Sequence, residues 1–373
     1  MGRARTVLLL ALVCACSFVA FVPALDGEWL NWDDETNFVS NPHFRGLGRA
    51  QLAWMFTTTL LAVYIPLSWM SLGLNYALDG MNPWGYHLGN LLLHSANAGL
   101  FFVVARRLLA RARAGDDAGS SGVEWGAAAA ALAWALHPLR VESVAWVTER
   151  RDVLAGLFYV AAIWAYLKAV EDDRLAAGWR LASLGAFAAA LLAKGLTMTL
   201  PLTLLVLDAY PLRRWPRIGW AGLIREKAPY FALSTLGALA ALWAVAAEAR
   251  WTSYAEKGPL ARLAMVGYSV WFYPWKLLWP TELSPLYEIP EHVSLAQWRF
   301  LGPLLGAALV TAILVVARRR WPAGLAAWAH SAIVIAPVRG IVHAGPQLAH
   351  ARFSDLSSLG FALLVGAAIA WLG

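Results

Sequence analysis

Residues 6–23 read TVLLLALVCACSFVAFVP, and none of these eighteen side chains carries a charge. A helix needs about 20 mostly apolar residues to cross the hydrocarbon core of a bilayer. Comparable apolar blocks recur along the chain, in which 60% of the 373 residues are hydrophobic and only 14% are charged. The pattern predicts an all-α polytopic membrane protein with about nine to eleven transmembrane helices.

The predicted spans are 6–23, 86–105, 123–136, 153–167, 178–193, 196–209, 229–247, 300–316, 324–338 and 356–372. The first block has the basic start of a cleaved signal peptide, but the blocks after it favour an uncleaved helix. The block 262–279 holds Trp271, Trp275 and Trp279 at four-residue spacing, which suits a helix at the headgroup level. We therefore expect 262–279 to be interfacial or re-entrant.

Arginines are dense in the short segments between alternate blocks, at 3–5, 106–113, 213–217 and 318–320. Because cytoplasmic loops carry the excess of Lys and Arg, this bias predicts a cytoplasmic amino terminus. The chain 1–373 is then one transmembrane domain, with a first outer loop at 25–85, a cytoplasmic linker at 106–122 and a later outer loop at 249–298. The alanine and arginine content is typical of a GC-rich bacterial genome, so we expect a multi-pass protein of a bacterial inner membrane.

The composition argues against several classes of site and partner. Cys14 and Cys16 are the only cysteines and share the first apolar block, so a disulfide framework or a thiolate metal site is not expected. The net charge of +7 comes from the clusters between spans, which are topology signals, so no nucleic-acid partner is expected. We expect membrane lipids as surroundings, no metal and no cofactor.

The first predicted outer loop opens with LDGEWLNWDDETNF, residues 25–38, which places Asp33 beside Asp34. Clustered carboxylates against an apolar wall have raised pKa values and can supply a general base. An alternative is that one of them caps a helix running on from Glu35. Asp34 is slightly favoured as the base, because Asp33 lies nearer to the tryptophans that would orient the loop.

The next outer segment is HPLRVESVAWVTERRD, residues 137–152. It crowds several polar side chains into a short excursion: His137, Arg140, Glu142, Arg150, Arg151 and Asp152. Guanidinium groups at a membrane edge suit a lipid phosphate or pyrophosphate. The alternative is interfacial snorkelling with local ion pairs, such as Arg150 with Asp152.

Three further groups are weaker candidates. Lys194 ends a predicted span, where it either snorkels or joins a phosphate site. His87, Asn90 and His94 share a helix face, and a packed, hydrogen-bonded face is favoured over metal ligation because no carboxylate joins them. The last predicted outer loop carries His343, His350, Arg352 and Asp355, and it either closes a site over the first loop or is a solvated connector.

Four stretches together resemble the membrane part of the transmembrane and tetratricopeptide-repeat O-mannosyltransferases and their bacterial relatives. They are NWDDETNFVSNPHFRGL, YIPLSWMSLGLNYALDGMNPWGYHLGNLLLHSANA, HPLRVESVAWVTERRDVLAGLFY and AKGLTMTLPLTLLVLDAYP. The resemblance is closest over 25–212 and weaker beyond. It implies a GT-C glycosyltransferase fold, with an acidic pair in the first outer loop and a polyprenyl-phosphate sugar as donor.

The resemblance also implies residue roles. Asp33 and Asp34 match the acidic pair, Arg150 takes the place of the arginine in the family's Arg-Lys-Asp-Val-Leu stretch, and Lys194 is a second candidate for the carrier phosphate. Arg352 is a third, although the family's Ala-Asp-Arg-Tyr-Thr-Tyr is replaced by residues 350–355 here and the acid before the arginine is lost. The family's tetratricopeptide repeats are not expected in this sequence.

The predicted activity is transfer of a mannose-like sugar from a polyprenyl phosphate to an acceptor hydroxyl, on a protein Ser or Thr or on a glycan, at the periplasmic or extracellular face. His87, His94, His137, Glu142, Arg151 and Asp152 are expected to support that site. A polymerase or ligase of lipid-linked glycans is the alternative enzyme. A transporter or flippase is the alternative of another class, and it would need charges within the spans.

Overall fold

The structure is a computed structural model that describes residues 2–113, 121–248, 258–338 and 347–372. Its helices are α1 Gly2–Phe21, α2 Arg49–Thr57, α3 Pro66–Asp79, α4 Pro83–Arg113, α5 Ser121–Ala135, α6 Val141–Ala145, α7 Arg150–Glu171, α8 Ala176–Ala193, α9 Leu200–Ala209, α10 Trp215–Glu226, α11 Ala228–Ala247, α12 Pro259–Leu278, α13 Trp298–Val316, α14 Pro322–Val334, α15 Ser354–Ser357 and α16 Leu359–Leu372. His343, part of the last predicted loop, lies outside the described residues.

Short turns and one small sheet complete the chain. The 3₁₀ turns are Val22–Asp26, Leu60–Ala62, Pro138–Arg140, Val147–Glu149, Gly195–Thr199, Ala317–Arg319, Ala336–Val338 and Ala351–Phe353, and Glu35–Val39 is a π-helical turn. Strands β1, Tyr287–Glu288, and β2, Gln347–Ala349, pair antiparallel. The region 25–85, predicted as a loop, is therefore largely helical.

Six helices among the described residues are long and apolar enough to cross a membrane: Arg3–Asp26, Pro83–Arg113, Val147–Glu171, Ala176–Ala193, Trp215–Ala247 and Trp298–Arg319. The pair Ala351–Ser357 and Leu359–Leu372, bent by 56°, makes a seventh if it is one span. Gly195–Ala209 and Pro322–Val338 are shorter apolar helices. A multi-pass helical membrane protein is thus confirmed, whereas the number of nine to eleven spans stays a prediction.

The helices align so that the bundle has two chemically different ends. Ion pairs join Arg5 to Glu124 and Arg107 to Glu171, which places the start of α1, the start of α5 and the ends of α4 and α7 together. We call this end, where the arginine-rich segments meet, the arginine end. The opposite end, where α4 and α7 begin, holds the acidic pair, and we call it the site end.

Close helix packing depends on small residues. A Cβ on Gly126 of α5 would meet the backbone of Gly366 on α16, and the reverse holds as well, so both positions need glycine. Glycine and alanine let helix backbones approach in this way in membranes. A large apolar cluster, which includes Phe102, Trp134 and Tyr159, joins α1, α4, α5, α7 and α16 behind the site end.

Candidate active site

Asp34 is fully buried and anchors the first loop. Its Oδ1 accepts hydrogen bonds from Trp146 Nε1 at 2.9 Å, Thr148 N at 3.2 Å and Thr148 Oγ1 at 2.6 Å, and its Oδ2 accepts one from Leu30 N at 3.0 Å. Burial raises the pKa of the Asp34 carboxyl, and these hydrogen bonds oppose that shift. A carboxylate with both oxygens occupied by the protein is poorly placed to take a proton from a substrate.

Asp33 has the opposite environment. Its side chain is half-buried, and among the described residues it makes no hydrogen bond. It interacts electrostatically with Arg151, which lies in the first turn of α7. Asp34 is therefore anchored inside the protein, whereas Asp33 stays partly exposed within electrostatic range of Arg151.

Trp146 joins the loop that carries Asp33 and Asp34, which we call the acidic loop, to the rest of the site. Its indole donates to Asp34, stacks on the ring of Trp32 at 5.4 Å with an interplanar angle of 22°, and lies 5.4 Å from the guanidinium carbon of Arg352. Aromatic stacking and a cation–π contact each add about 0.5–1.5 kcal/mol at such distances. Trp146 therefore fixes the acidic loop relative to Arg352.

Three cations meet around the fully buried Glu149, and we call Arg151, Lys194 and Arg352 the cation cluster. Arg151 Nη2 lies 2.5 Å from Glu149 Oε1, Arg352 Nη1 lies 3.3 Å from the same oxygen, and Lys194 Nζ lies 3.5 Å from Oε2. Their side chains are 10%, 11% and 12% exposed, so each keeps some access from outside. Lys194 also pairs with Asp152, which accepts from Ser143 Oγ at 3.2 Å.

Arg352 is oriented by Glu142. Oε1 of Glu142 accepts from Arg352 Nη1 at 2.9 Å and lies 3.4 Å from His350 Nδ1, and Oε2 accepts from the backbone N–H of Arg352 at 2.9 Å. Arg352 Nε is buried and has no hydrogen-bond partner within the described ranges. An unpartnered guanidinium donor inside a group of cations is suited to an anion that enters the site.

Arg150, which the resemblance gives as a candidate for the carrier phosphate, does not join the cation cluster. Its guanidinium is 2% exposed and donates to Asn90 Oδ1, to Ser71 Oγ at 2.9 Å, to Asn75 Oδ1 at 2.7 Å and to Tyr86 O at 2.7 Å. These acceptors belong to α3 and α4, so Arg150 holds those helices to the start of α7. Its role in phosphate binding stays a prediction, and the adjacent Arg151, rather than Arg150, lies against Glu149 in the cation cluster.

The histidines proposed as supporting residues have structural positions. His94 Nε2 donates to Ala135 O at 3.0 Å, and His137 accepts from Leu139 N through Nδ1 at 3.2 Å and donates to Leu277 O through Nε2 at 3.0 Å. Burial lowers the pKa of His137. His87 is buried beneath the loop at Gly27, where its ring interacts with the backbone of Glu28 and Ala145.

One buried ion pair at the site end, between Arg140 and Asp355, was not predicted from the sequence. Arg140 and Asp355 are 0% and 4% exposed and are joined at 2.8 Å, and Arg140 also donates to Ser354. Trp134 Nε1 donates to Asp355 O at 2.8 Å. The pair ties the segment that carries Arg352 to the segment that carries Arg151. The two residues are 215 positions apart in the sequence, so no local pattern predicts their contact.

The described residues contain no group of three or more His, Cys, Asp or Glu side chains that could hold a metal ion. Five carboxylates at the site end are engaged with cations or hydrogen-bond donors: Asp34, Glu142, Glu149, Asp152 and Asp355. Asp33 has no hydrogen bond to the described residues and interacts electrostatically with Arg151.

Comparison with known proteins confirms the resemblance over part of the chain. No family model matches. Human protein O-mannosyl-transferase TMTC2 is 38% identical over 123 residues, which are 32% of this chain and 13% of that protein. Protein O-mannosyl-transferase Tmtc3 of Drosophila melanogaster is 36% identical over 118 residues, 30% of this chain and 13% of that protein. The chain thus matches about an eighth of the length of these relatives.

One solved structure also matches this chain at low similarity. It is the crystal structure of ArnT from Cupriavidus metallidurans bound to undecaprenyl phosphate, with a TM-score of 0.49 and 18% sequence identity. The alignment covers 96% of this chain and 59% of that chain.

Proposed function

We propose that this chain is an inverting membrane glycosyltransferase of the GT-C type, which moves a mannose-like sugar from a polyprenyl-phosphate carrier to an acceptor hydroxyl. The observation that carries the proposal is the position of Asp33, free of hydrogen bonds to the described residues, beside the cation cluster at the site end. The partial similarity to proteins named as O-mannosyl-transferases supports this reaction class.

Asp33 is the general base of the proposed reaction. It accepts the proton of the acceptor hydroxyl as the oxygen attacks the anomeric carbon of the sugar. A positioned base contributes about 10² to 10⁴ in rate. Asp34, which was slightly favoured from the sequence, instead holds the loop so that Asp33 faces the substrate.

The cation cluster receives the carrier phosphate. The phosphate gains negative charge as the bond to the sugar breaks, so cations placed around it stabilise the transition state more than the bound donor. Arg352 Nε is available for this contact, and Glu142, Glu149 and Asp152 hold the three cations in place before the donor binds. A preorganised group of this kind needs little rearrangement during the reaction.

The distribution of buried charge supports an enzyme rather than a transporter. The buried ion pairs of the described residues lie at the two ends: Arg140 with Asp355 at the site end, and Lys227 with Asp208 at the arginine end. Transporters place ionisable groups near the middle of the membrane. By the arginine bias, we place the arginine end in the cytoplasm and the site end at the periplasmic or extracellular face.

The proposal is tested with purified protein, polyprenyl-phosphate sugars labelled in the sugar, and two acceptors, a Ser/Thr-containing peptide and a lipid-linked glycan. We expect label to appear on one acceptor, with the peptide favoured, and the new bond to have the inverted anomeric configuration. Transfer to the glycan alone would assign the chain to glycan assembly. Failure to cleave any labelled donor, with either acceptor present, would refute the proposal.

A further inference from the structure

A partly open cavity of about 100 Å³ lies between α4, α7, α9, α14 and α16. Its walls are almost entirely apolar, with side chains such as Phe101, Val160, Leu207 and Leu363. An apolar space of this kind does not hold ordered water well, because water there lacks polar partners.

Two polar side chains on the wall, Thr203 and His330, already have hydrogen-bond partners in the protein. Thr203 Oγ1 lies 3.4 Å from His330 Nδ1 and accepts from Tyr159 OH at 2.7 Å, and His330 Nε2 donates to Leu356 O at 3.0 Å. The wall therefore offers hydrocarbon contacts rather than hydrogen bonds. A hydrocarbon chain is the ligand class that fits it.

The cavity belongs to the arginine end. Four of its lining residues lie at helix ends on that side: Ala112, Tyr210, Pro211 and Ala323. Asp208, beside Tyr210, is held there by Lys227 and by Arg214, whose Nη1 lies 3.0 Å from Asp208 Oδ1. The cation cluster lies at the opposite end of α7, so the two sites are separate.

Two arginines lie close to lining residues at this end. Arg213, two residues after the lining residue Pro211, has its guanidinium carbon 5.9 Å from the ring of the lining residue Tyr210, and Arg111 precedes the lining residue Ala112 in the chain. Arg111 is 49% exposed and its nearest carboxylate oxygen, on Glu171, is 3.9 Å away. Basic pockets between transmembrane helices bind the head groups of anionic lipids.

We propose that this cavity is a binding site for an anionic glycerophospholipid, with part of one acyl chain inside and its phosphate among Arg111 and Arg213. The charge of these arginines selects an anionic head group, and the apolar wall selects a hydrocarbon tail. We assign the cavity to a phospholipid rather than to the sugar carrier because the carrier phosphate is placed at the cation cluster, and this choice rests on the proposed function.

The test is native mass spectrometry of the full chain after equilibration with equal amounts of phosphatidylglycerol and phosphatidylcholine. We expect one retained phosphatidylglycerol, favoured about 25-fold over phosphatidylcholine if each of two arginines contributes about fivefold. Ala367→Phe places a ring in the cavity and abolishes retention. Ala368→Phe, whose side chain is on the exposed face of α16, is the matched control and keeps it.

Charge variants test recognition of the head group separately from binding of the tail. Arg111→Gln with Arg213→Gln lowers the preference for phosphatidylglycerol to near one, whereas Arg299→Gln, at the start of α13, leaves it unchanged. In wild-type protein, phosphatidylglycerol with a photoreactive acyl chain labels α4, α9, α14 or α16 at lining positions. Equal retention of the two lipids, retention by Ala367→Phe, retention of polyprenyl phosphate instead, or labelling elsewhere would each overturn the assignment. The labelling experiment decides the matter if Ala367→Phe does not fold.

Discussion

Replacing the two acidic-loop aspartates one at a time separates catalysis from loop anchoring. Asp33 makes no hydrogen bond with the described residues, so Asp33→Asn changes the free energy of unfolding by less than about 0.5 kcal/mol. Losing the proton acceptor lowers turnover about 10²-fold to 10⁴-fold. The melting temperature is then that of wild type.

Asp34→Asn has the reverse effect. The amide oxygen can keep the contacts with Trp146 and Thr148, but the amide NH₂ then faces the Leu30 N–H, which lies 3.0 Å from Asp34 Oδ2 in the wild type. Rotating the amide by half a turn would restore the contact with Leu30 but would direct the NH₂ group at the donors of Trp146 and Thr148, so more donors would lose their acceptor. One lost acceptor at a buried donor costs about 1–3 kcal/mol.

The measurement is turnover beside thermal unfolding for both variants in the same detergent. We expect Asp33→Asn to be stable and slow, and Asp34→Asn to be less stable and to retain activity at temperatures where it is folded. Turnover near wild type in Asp33→Asn, or slow turnover in a fully stable Asp34→Asn, would refute the assignment.

The neighbouring arginines also divide into a structural and a binding residue. Arg150→Lys cannot bridge four acceptors, so it lowers the melting temperature and leaves donor affinity unchanged. Arg151→Gln weakens donor binding about tenfold, which titrations with polyprenyl phosphate measure. Equal donor affinity in Arg151→Gln and wild type would remove Arg151 from the site. Gly89→Ala lowers the melting temperature, since its Cβ would lie 2.9 Å from Arg150 Cζ; an unchanged value would contradict the close packing. Because burial raises the pKa of Asp34, its contribution to stability is fully present below the unfolded pKa and is lost as the pH rises through the folded pKa. The melting temperature of wild type relative to Asp34→Asn should therefore rise as the pH falls through that window, and a constant difference would show that Asp34 does not titrate there.

The spans were predictable because apolar blocks of sufficient length must be helical in a membrane. Predicted spans such as 153–167 and 178–193 lie inside α7 and α8. The segment 262–279 corresponds to the helix α12, and its relation to a membrane stays a prediction. Helix lengths follow from local sequence, whereas the number that cross depends on how short helices such as α9 pack.

The composition of the site was predictable, but the orientation of its side chains was not. The sequence places two aspartates side by side and two arginines side by side, and only the packing of α3, α4 and the segment 146–148 shows which member of each pair is buried. Asp34 and Arg150 find neutral hydrogen-bonding partners inside, and Asp33 and Arg151 face the site as a result. No local pattern could predict contacts such as Arg140 with Asp355.

The most direct test of the central claim is a single-turnover experiment with the protein loaded with a labelled polyprenyl-phosphate mannose. Acceptor peptide is then added, and both the release of polyprenyl phosphate and the labelled peptide are followed. Wild type should cleave the bond between sugar and phosphate and transfer the label. Asp33→Asn should bind the donor with the same affinity and leave that bond intact. Equal cleavage by the two proteins, or no cleavage by wild type, would contradict the account.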